Sequence, residues 1–354
     1  MNELTDLISQ KKQPKAIPKA TFKELLVCRI TDATQITTLQ TIVSIGGSLF
    51  CATGEMSFIS GKPKAGKTSV AGVILSTCLA QTSNFDTLGI EGTFCEDKPI
   101  IYIDSEQSLR SSKQIIERVK RNLGISKMPP NLYVFNFRHL QPKQLREAFE
   151  VLLKELPNAF LWFLDGISDM VDSVNNEVDS KEIIHFLNNA VEKHKTAMIL
   201  FLHENSTSSS DKMRGHLGSE AQRKCFATIS ISKDRAKQIH TIKSVEIREG
   251  KNFEDILFRF DETTKSMVML TGSDHKKAKI ELATDVLNFK YRDLIFFDET
   301  ITRQEYIKRI MEFDKCSDKT AIKKILQTLE QNLIVQEKKS NNQIYFSLNL
   351  IYNP

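Results

Sequence analysis

The segment Gly61-Lys62-Pro63-Lys64-Ala65-Gly66-Lys67-Thr68 constrains this chain more than any other stretch. It matches G-x-x-x-x-G-K-[ST] in full. The apolar run 56–60 precedes it and SVAGVILSTCLA follows, which is the strand, glycine-rich turn and helix that the motif needs. Backbone N–H groups of a loop that opens a helix converge on an anion, and glycine allows the close approach that a side chain would block. The expectation is a phosphate cradle built from Gly61, Lys62, Pro63, Lys64, Ala65, Gly66, Lys67, Thr68 and Ser69. In it Lys67 reaches the β- and γ-phosphates of ATP and the Thr68 hydroxyl ligates Mg²⁺. A chance Gly/Lys-rich turn is the competing reading, and the flanking strand and helix argue against it.

A loop of this kind needs a sheet behind it. Apolar runs of strand length (56–60, 100–104, 132–135, 160–165, 197–203 and 226–233) alternate with helix-length amphipathic segments (67–82, 111–123, 142–155 and 180–194). That alternation predicts an α/β fold with a mainly parallel sheet covered by helices. The pieces 244–248, 256–261 and 266–270 alternate in period two and should extend the same sheet. The polar stretch 271–278, TGSDHKKA, reads as a linker. Beyond it, amphipathic helices over 302–313 and 319–331 and a hairpin of 333–337 with 343–348 follow the order of a winged helix. The expected organisation is a flexible tail over 1–20, a core domain over 21–272 and a winged-helix-like domain over 273–354.

Phosphoryl transfer to water needs a carboxylate that orients the metal and a group that positions or deprotonates the water. The apolar run 160–165 ends in Asp165, the candidate magnesium partner, but no Glu follows it. The strand-like IIYIDSEQ, 100–107, offers Glu106 as the catalytic base. Asp104 and Asp169 compete for these roles, and an acid at a strand end also serves as a helix cap or turn residue.

The order of phosphate loop, IYIDSEQ, LWFLDG and ILFLHE resembles the RecA-like ATPases, and within them the hexameric helicases of the plasmid RepA and DnaB type. The resemblance spans roughly residues 40 to 260. It implies a RecA-like sheet, Glu106 as the base on the strand after the phosphate-loop helix, and His203 as the sensor of the γ-phosphate. The segment KMRGHLGS, 212–219, is similar to a RepA-type stretch whose arginine reaches a neighbouring subunit's nucleotide, which here is Arg214. Lys233-Asp234-Arg235 resembles the Lys-x-Arg pair that does the same in DnaB-type enzymes, which makes Arg235 the rival. Spacing leaves the choice between the two open. Assembly into a ring or filament, a hexamer in this family, follows from the resemblance. So does a DNA-gripping role for the serine-rich stretch 204–213, which carries Lys212.

Lys and Arg number 49 against 44 Asp and Glu, a net charge of +5 that permits a nucleic-acid partner without demanding one. Basic residues recur in the C-terminal region (Lys308, Arg309, Lys315, Lys319, Lys323, Lys324, Lys338 and Lys339). A winged helix with them could lay its second helix in a major groove, or could dock a protein instead. Cys28, Cys51, Cys78, Cys95, Cys225 and Cys316 lie singly, without zinc-type pairing, as reduced thiols do. The first 20 residues lack the apolar core of a signal peptide and no apolar run has membrane-spanning length, so the expectation is a soluble, cytoplasmic protein. Taken with the resemblance, these features predict an ATP-hydrolysing oligomeric DNA motor. Such a helicase or translocase would act on single-stranded DNA for a mobile genetic element, with another replication or mobilisation protein as a partner of the C-terminal domain. The alternative is an ATP-dependent assembly switch that recruits partners without unwinding; a small-molecule kinase is a third possibility.

Overall fold

The computed structural model describes residues 21–26, 29–34, 38–204, 213–286, 289–296, 299–330, 333–339 and 343–349. The tail expected over 1–20 and the segment 205–212, with Lys212, lie outside the described residues. Residues 1–39 and 40–354 form two units. In the first, one helical turn is described, α1 (Phe22–Leu25).

The second unit is α/β. It begins with β1 (Thr41–Ile45) and β2 (Ser48–Ala52), a hairpin turning at Gly46-Gly47, and β3 (Met56–Gly61). Then come α2 (Lys67–Leu79), β4 (Ile90–Gly92), β5 (Ile100–Asp104), α3 (Leu109–Leu123), β6 (Leu132–Asn136) and α4 (Pro142–Glu155). After these follow β7 (Leu161–Asp165), α5 (Glu177–His194), β8 (Ala197–His203), α6 (Gly215–Lys224), β9 (Ala227–Asp234), β10 (Ile239–Ile247), β11 (Ile256–Asp261) and β12 (Ser266–Met269). Among the described residues the central sheet has nine strands in the order β12-β11-β10-β9-β3-β8-β7-β5-β6. From β9 to β6 the strands run parallel, and β10, β11 and β12 extend the sheet antiparallel.

Strands β3, β5 and β7 are buried at every position, as parallel strands covered on both faces must be. Side chains alternate between the faces. On one face Phe58, Ile101, Ile103, Trp162, Leu164, Met198 and Leu200 meet Leu145 and Phe149 of α4, Ile183 and Leu187 of α5 and Leu217 of α6. On the other, Tyr102, Phe163 and Phe201 pack ring against ring across β5, β7 and β8. Helix α2 is buried along nearly its whole length, whereas α3 turns only Ser112, Ile115 and Val119 inward, at i, i+3 and i+7.

The stretch 271–278 is not the linker that its polarity suggests, because it lies in helix α7 (Gly272–Val286). Ala278 is buried with Ile239 and Leu257, and Leu282, four residues on, packs beside it. So thin an apolar seam within charged text is invisible to a composition argument. Next come α8 (Phe289–Arg292), β13 (Thr300–Thr302), α9 (Arg303–Asp314), α10 (Asp318–Glu330), β14 (Ile334–Lys338) and β15 (Ile344–Leu348). The last three strands pair antiparallel in the order β13-β15-β14. Tyr291, Ile301, Tyr306, Ile310, Ala321, Ile325, Ile334 and Phe346 form a hydrophobic cluster of their own. Two of the basic residues are committed inside this region. Arg309 makes a fork of 2.7 Å hydrogen bonds to Glu299, and Lys324 pairs with Asp314 beneath the Tyr291 ring. No helix among the described residues is long and apolar enough to cross a membrane.

Phe149 stands edge-on to Trp162 with centroids 5.3 Å apart and to Phe186 at 6.0 Å, joining α4 and α5 to the sheet. Phe149→Ala is expected to cost about 3–5 kcal/mol, read as a lower urea midpoint at unchanged slope. A loss below about 1 kcal/mol would show that the ring does not bind these layers together.

Candidate active site

The parallel register brings the strand ends to one edge of the sheet. Gly61 of β3 lies opposite His203 of β8, and Asp104 of β5 lies opposite Asp165 of β7. Because β8 runs between β3 and β7, His203 stands between the phosphate loop and Asp165. The loop leaves β3 at Gly61 and enters α2 through Gly66, whose φ of 109° is left-handed backbone. A β-carbon on Gly66 would lie 2.8 Å from Nδ1 of His240, so glycine is required there on both counts. His240, on β10, is buried, stacks on Phe258 with centroids 4.9 Å apart, and places Nδ1 2.8 Å from the Ala65 carbonyl. A carbonyl only accepts, so Nδ1 carries the proton and donates. Burial holds the His240 pKa below the usual imidazole value, with the Ala65 hydrogen bond opposing and the Lys233 charge reinforcing the shift.

Lys67, also buried, is held by three acceptors: the Gly61 carbonyl at 3.0 Å, the Lys62 carbonyl at 3.5 Å and Nδ1 of His203 at 3.2 Å. On its far side His203 places Nε2 3.1 Å from Oε2 of Glu106. An ammonium only donates, so Nδ1 of His203 accepts and Nε2–H donates to Glu106; one neutral tautomer satisfies both contacts. Burial pushes the Lys67 pKa down against the raising pull of Asp165, Glu106 and Glu204. Burial also acts to raise the Glu106 carboxyl, but the His203 hydrogen bond and the Lys67 charge outweigh it and hold Glu106 below the usual carboxylate range.

Asp165 is buried and accepts from the Tyr102 hydroxyl at 2.6 Å and from Nε2 of Gln107 at 3.2 Å. The same amide nitrogen lies 3.3 Å from the Thr68 hydroxyl, so the Thr68 and Asp165 oxygens converge within the reach of one group. Burial pushes the Asp165 carboxyl up to about 6, Asp104 and Glu106 add to the rise, and the Tyr102 hydrogen bond and Lys67 oppose it. A nearby cation would favour its ionised form. These two hard oxygens fit Mg²⁺, an ion that keeps waters and phosphate oxygens around it instead of a closed protein cage. No cluster of three or more His, Cys, Asp or Glu side chains able to hold a metal is found among the described residues.

The competing acids have other work. Asp104 accepts the backbone N–H groups of Glu106 and Gln107 at 3.1 and 2.9 Å and the Ser112 hydroxyl at 2.6 Å, which fixes the turn that presents Glu106. Asp169 accepts the Ser105 hydroxyl at 2.8 Å. Around the loop lies a cavity of about 750 Å³, lined by residues from Pro63 to Ser69 together with Glu106, Gln107, Asp165, His203 and His240. Lys233 lines the cavity of its own chain, whereas Arg214 and Arg235 are exposed and do not line it. Arg214 is nevertheless tied to the site through its backbone, since its N–H donates to the His203 carbonyl at 2.9 Å.

Reading the sequence alone missed Tyr102, Gln107, Glu204 and His240. Tyr102 lies two residues before Asp104 on the same strand face, within reach of a period-two argument, whereas Gln107 lies past the end of the strand, where that period no longer applies. Glu204 is buried and accepts hydroxyls from Ser60 at 2.8 Å and Ser230 at 2.6 Å, a contact between distant segments that leaves no local trace. His240 lies 175 residues from the carbonyl it holds. No family model matches this chain, and neither does any curated protein.

Because folding lowers the His240 pKa, the unfolded chain binds that proton more readily. Stability therefore falls on acidification from about pH 6.5 downward. His240→Asn can keep a donor to Ala65 but cannot titrate. Its urea midpoint is expected to drop less than that of the wild type between about pH 7.5 and about pH 5.5. Equal drops would remove His240 as a source of acid sensitivity.

Proposed function

We propose that the chain is a cytoplasmic, RecA-like P-loop ATPase that assembles into an oligomeric motor on DNA. The observation that carries the ATPase reading is the line Lys67–His203–Glu106 beside the converging Thr68 and Asp165 oxygens, all at the edge where the phosphate loop opens α2. The loop's N–H groups and Lys67 bind the phosphates of ATP. Lys67 exchanges carbonyl and imidazole partners for phosphate oxygens, which frees the His203 ring to turn its Nε2–H from Glu106 to the γ-phosphate. Glu106, relieved of part of its pairing, takes the proton of the attacking water. Thr68 and Asp165 would hold Mg²⁺, which neutralises the charge of the terminal phosphates when bound.

Arg214 and Arg235 are exposed and lie outside their own chain's cavity lining, as residues that serve a neighbour's site would be. Reading the C-terminal region as a winged helix rests on the pair α9 and α10 beside three antiparallel strands. Helix α10 exposes Lys319 and Lys323, which suits DNA phosphates. The assembly-switch reading draws on Leu326, 53% exposed on the same helix, because a mixed apolar and basic face suits a protein partner. Free thiols at Cys51, Cys78, Cys95, Cys225 and Cys316 agree with a reducing compartment.

ATP hydrolysis by the purified protein, with and without single-stranded DNA, tests the proposal. Turnover is expected to rise with DNA, to vanish in Lys67→Ala, and to fall by at least about 10²-fold in Glu106→Gln while nucleotide binding persists. Turnover indifferent to DNA would replace the motor with the switch, and full activity in Glu106→Gln would remove that residue as the base.

A further inference from the structure

The phosphate loop is held by a strand that the hydrolytic chemistry does not use. Strand β10 lies two places from β3 in the sheet and sets His240 against the turn at Ala65-Gly66. The ring is fixed on two sides. Phe258, its direct partner on β11, stacks on it with centroids 4.9 Å apart, and a β-carbon on Gly66 would meet its Nδ1 at 2.8 Å and its Cε1 at 3.2 Å. From this seat Nδ1 donates to the Ala65 carbonyl at 2.8 Å.

That carbonyl belongs to the same peptide unit as the Gly66 N–H, and the unit is trans. In a planar trans peptide the C=O and N–H point in opposite directions, so drawing the Ala65 carbonyl toward His240 turns the Gly66 N–H away from it. Helix α2 begins here, because the N–H groups of Ser69 and Val70 both return to the Gly66 carbonyl, at 2.9 and 3.1 Å. The N–H groups of Gly66, Lys67 and Thr68 therefore precede the first intrahelical bond and stand at the positive end of the helix. Glycine at 66 also lets this peptide turn over at little steric cost. Reversed, it would offer an anion a carbonyl in place of a donor.

We infer that His240 is a positioning residue, a latch on the Ala65–Gly66 peptide that keeps the Gly66 N–H aimed into the phosphate cradle. The inference rests on the phosphate-loop reading and adds how the loop is kept ready for its anion. The ring acts through the loop backbone and needs no contact of its own with the ligand. Stacking on Phe258 and the close seat on Gly66 fix the plane of the ring, so its donor is preorganised and little entropy is lost in holding it.

Calorimetric binding of inorganic tripolyphosphate to the full chain, with Mg²⁺ present, tests the latch in wild type, His240→Leu and His240→Asn. Leucine keeps bulk against Gly66 but has no donor, whereas asparagine can place an amide N–H where Nδ1 stood. The leucine variant is expected to bind at least about tenfold more weakly than wild type, and the asparagine variant to stay within about threefold of it. Binding by the leucine variant within about threefold of wild type would overturn the latch. So would equal weakening in both variants, which would make His240 a packing residue alone. Failure of wild type to bind tripolyphosphate would bring down the phosphate-loop reading and the latch with it. Imidazole nitrogen NMR of wild type labelled at histidine gives a check that needs no folded leucine variant. At about pH 7.5 the His240 signals, identified by their loss in His240→Asn, are expected to show the Nδ1–H tautomer. The Nε2–H tautomer would overturn the latch, because Nδ1 would then have no proton to donate.

Discussion

A hydrogen-bonded ladder of parallel strands is what brings residues from four separate segments to one edge of this molecule. Phosphate loop, Asp104, Glu106, Asp165 and His203 are spread over more than a hundred residues of chain, yet each sits at or just beyond the end of a strand whose register with its neighbour is fixed. A slip by one residue would send every side chain of that strand to the opposite face, with Trp162 leaving the layer it shares with Phe149 and Phe58. The apolar alternation that packs the two faces therefore also aims the site. Core packing and the geometry of the candidate site are here the same constraint, and Phe149 bears on it through Trp162.

The same register has an electrostatic cost. Asp104 and Asp165 are direct partners on adjacent strands and both are buried. Asp104 meets that cost locally, with two backbone N–H groups and a serine hydroxyl. Asp165 meets it only in part, which is why its carboxyl is pushed up to about 6 while Glu106, paired with His203, is held low. Two carboxylates at the same sheet edge thus differ in what they lack. Asp165 lacks a cation, and Glu106 already has a partner to give up. Lys67 sits between these two demands, buried and pulled on by three acids, with backbone carbonyls and a neutral imidazole as its hydrogen-bond acceptors. A polyanion entering with its own divalent ion would relieve Lys67 and Asp165 together.

What could be read from the sequence was what a single segment carries by itself. The phosphate loop, the apolar strands that end in Asp165 and His203, and the helices expected over 142–155 and 302–313 each have a local period or motif, and they lie where that pattern puts them, the last shifted by one residue to Arg303–Asp314. The period-two pieces after residue 234 do extend the sheet, as β10, β11 and β12. Pairings between distant segments were not legible. His240 reaches the loop from a strand far along the chain, and Glu204 is held by serines from two other strands. Helix α7 was hidden for a related reason, since its inward face is marked by little more than Ala278 and Leu282 and gains meaning only against Ile239 and Leu257. Asp104 and Asp165 look alike as strand-ending acids, and only their hydrogen-bond partners separate a turn-fixing role from a site role.

The segment 205–212 is attached to the sheet at two points that both adjoin His203. On one side, Glu204 follows His203 directly and is locked by the Ser60 and Ser230 hydroxyls of the neighbouring strand β3 and of β9 beyond it. On the other, Met213 bridges back to Glu204 and the Arg214 N–H donates to the His203 carbonyl. Helix α6 then begins at Gly215, its Leu217 buried in the layer beneath the sheet. The backbone that carries His203 is therefore shared by the contacts to Lys67 and Glu106 and by the residues on both sides of this segment. Displacing Glu204 would strip the buried Ser230 hydroxyl of its acceptor and leave Ser60 only the longer 3.3 Å bond to the Ile229 carbonyl, so the junction resists small disturbances.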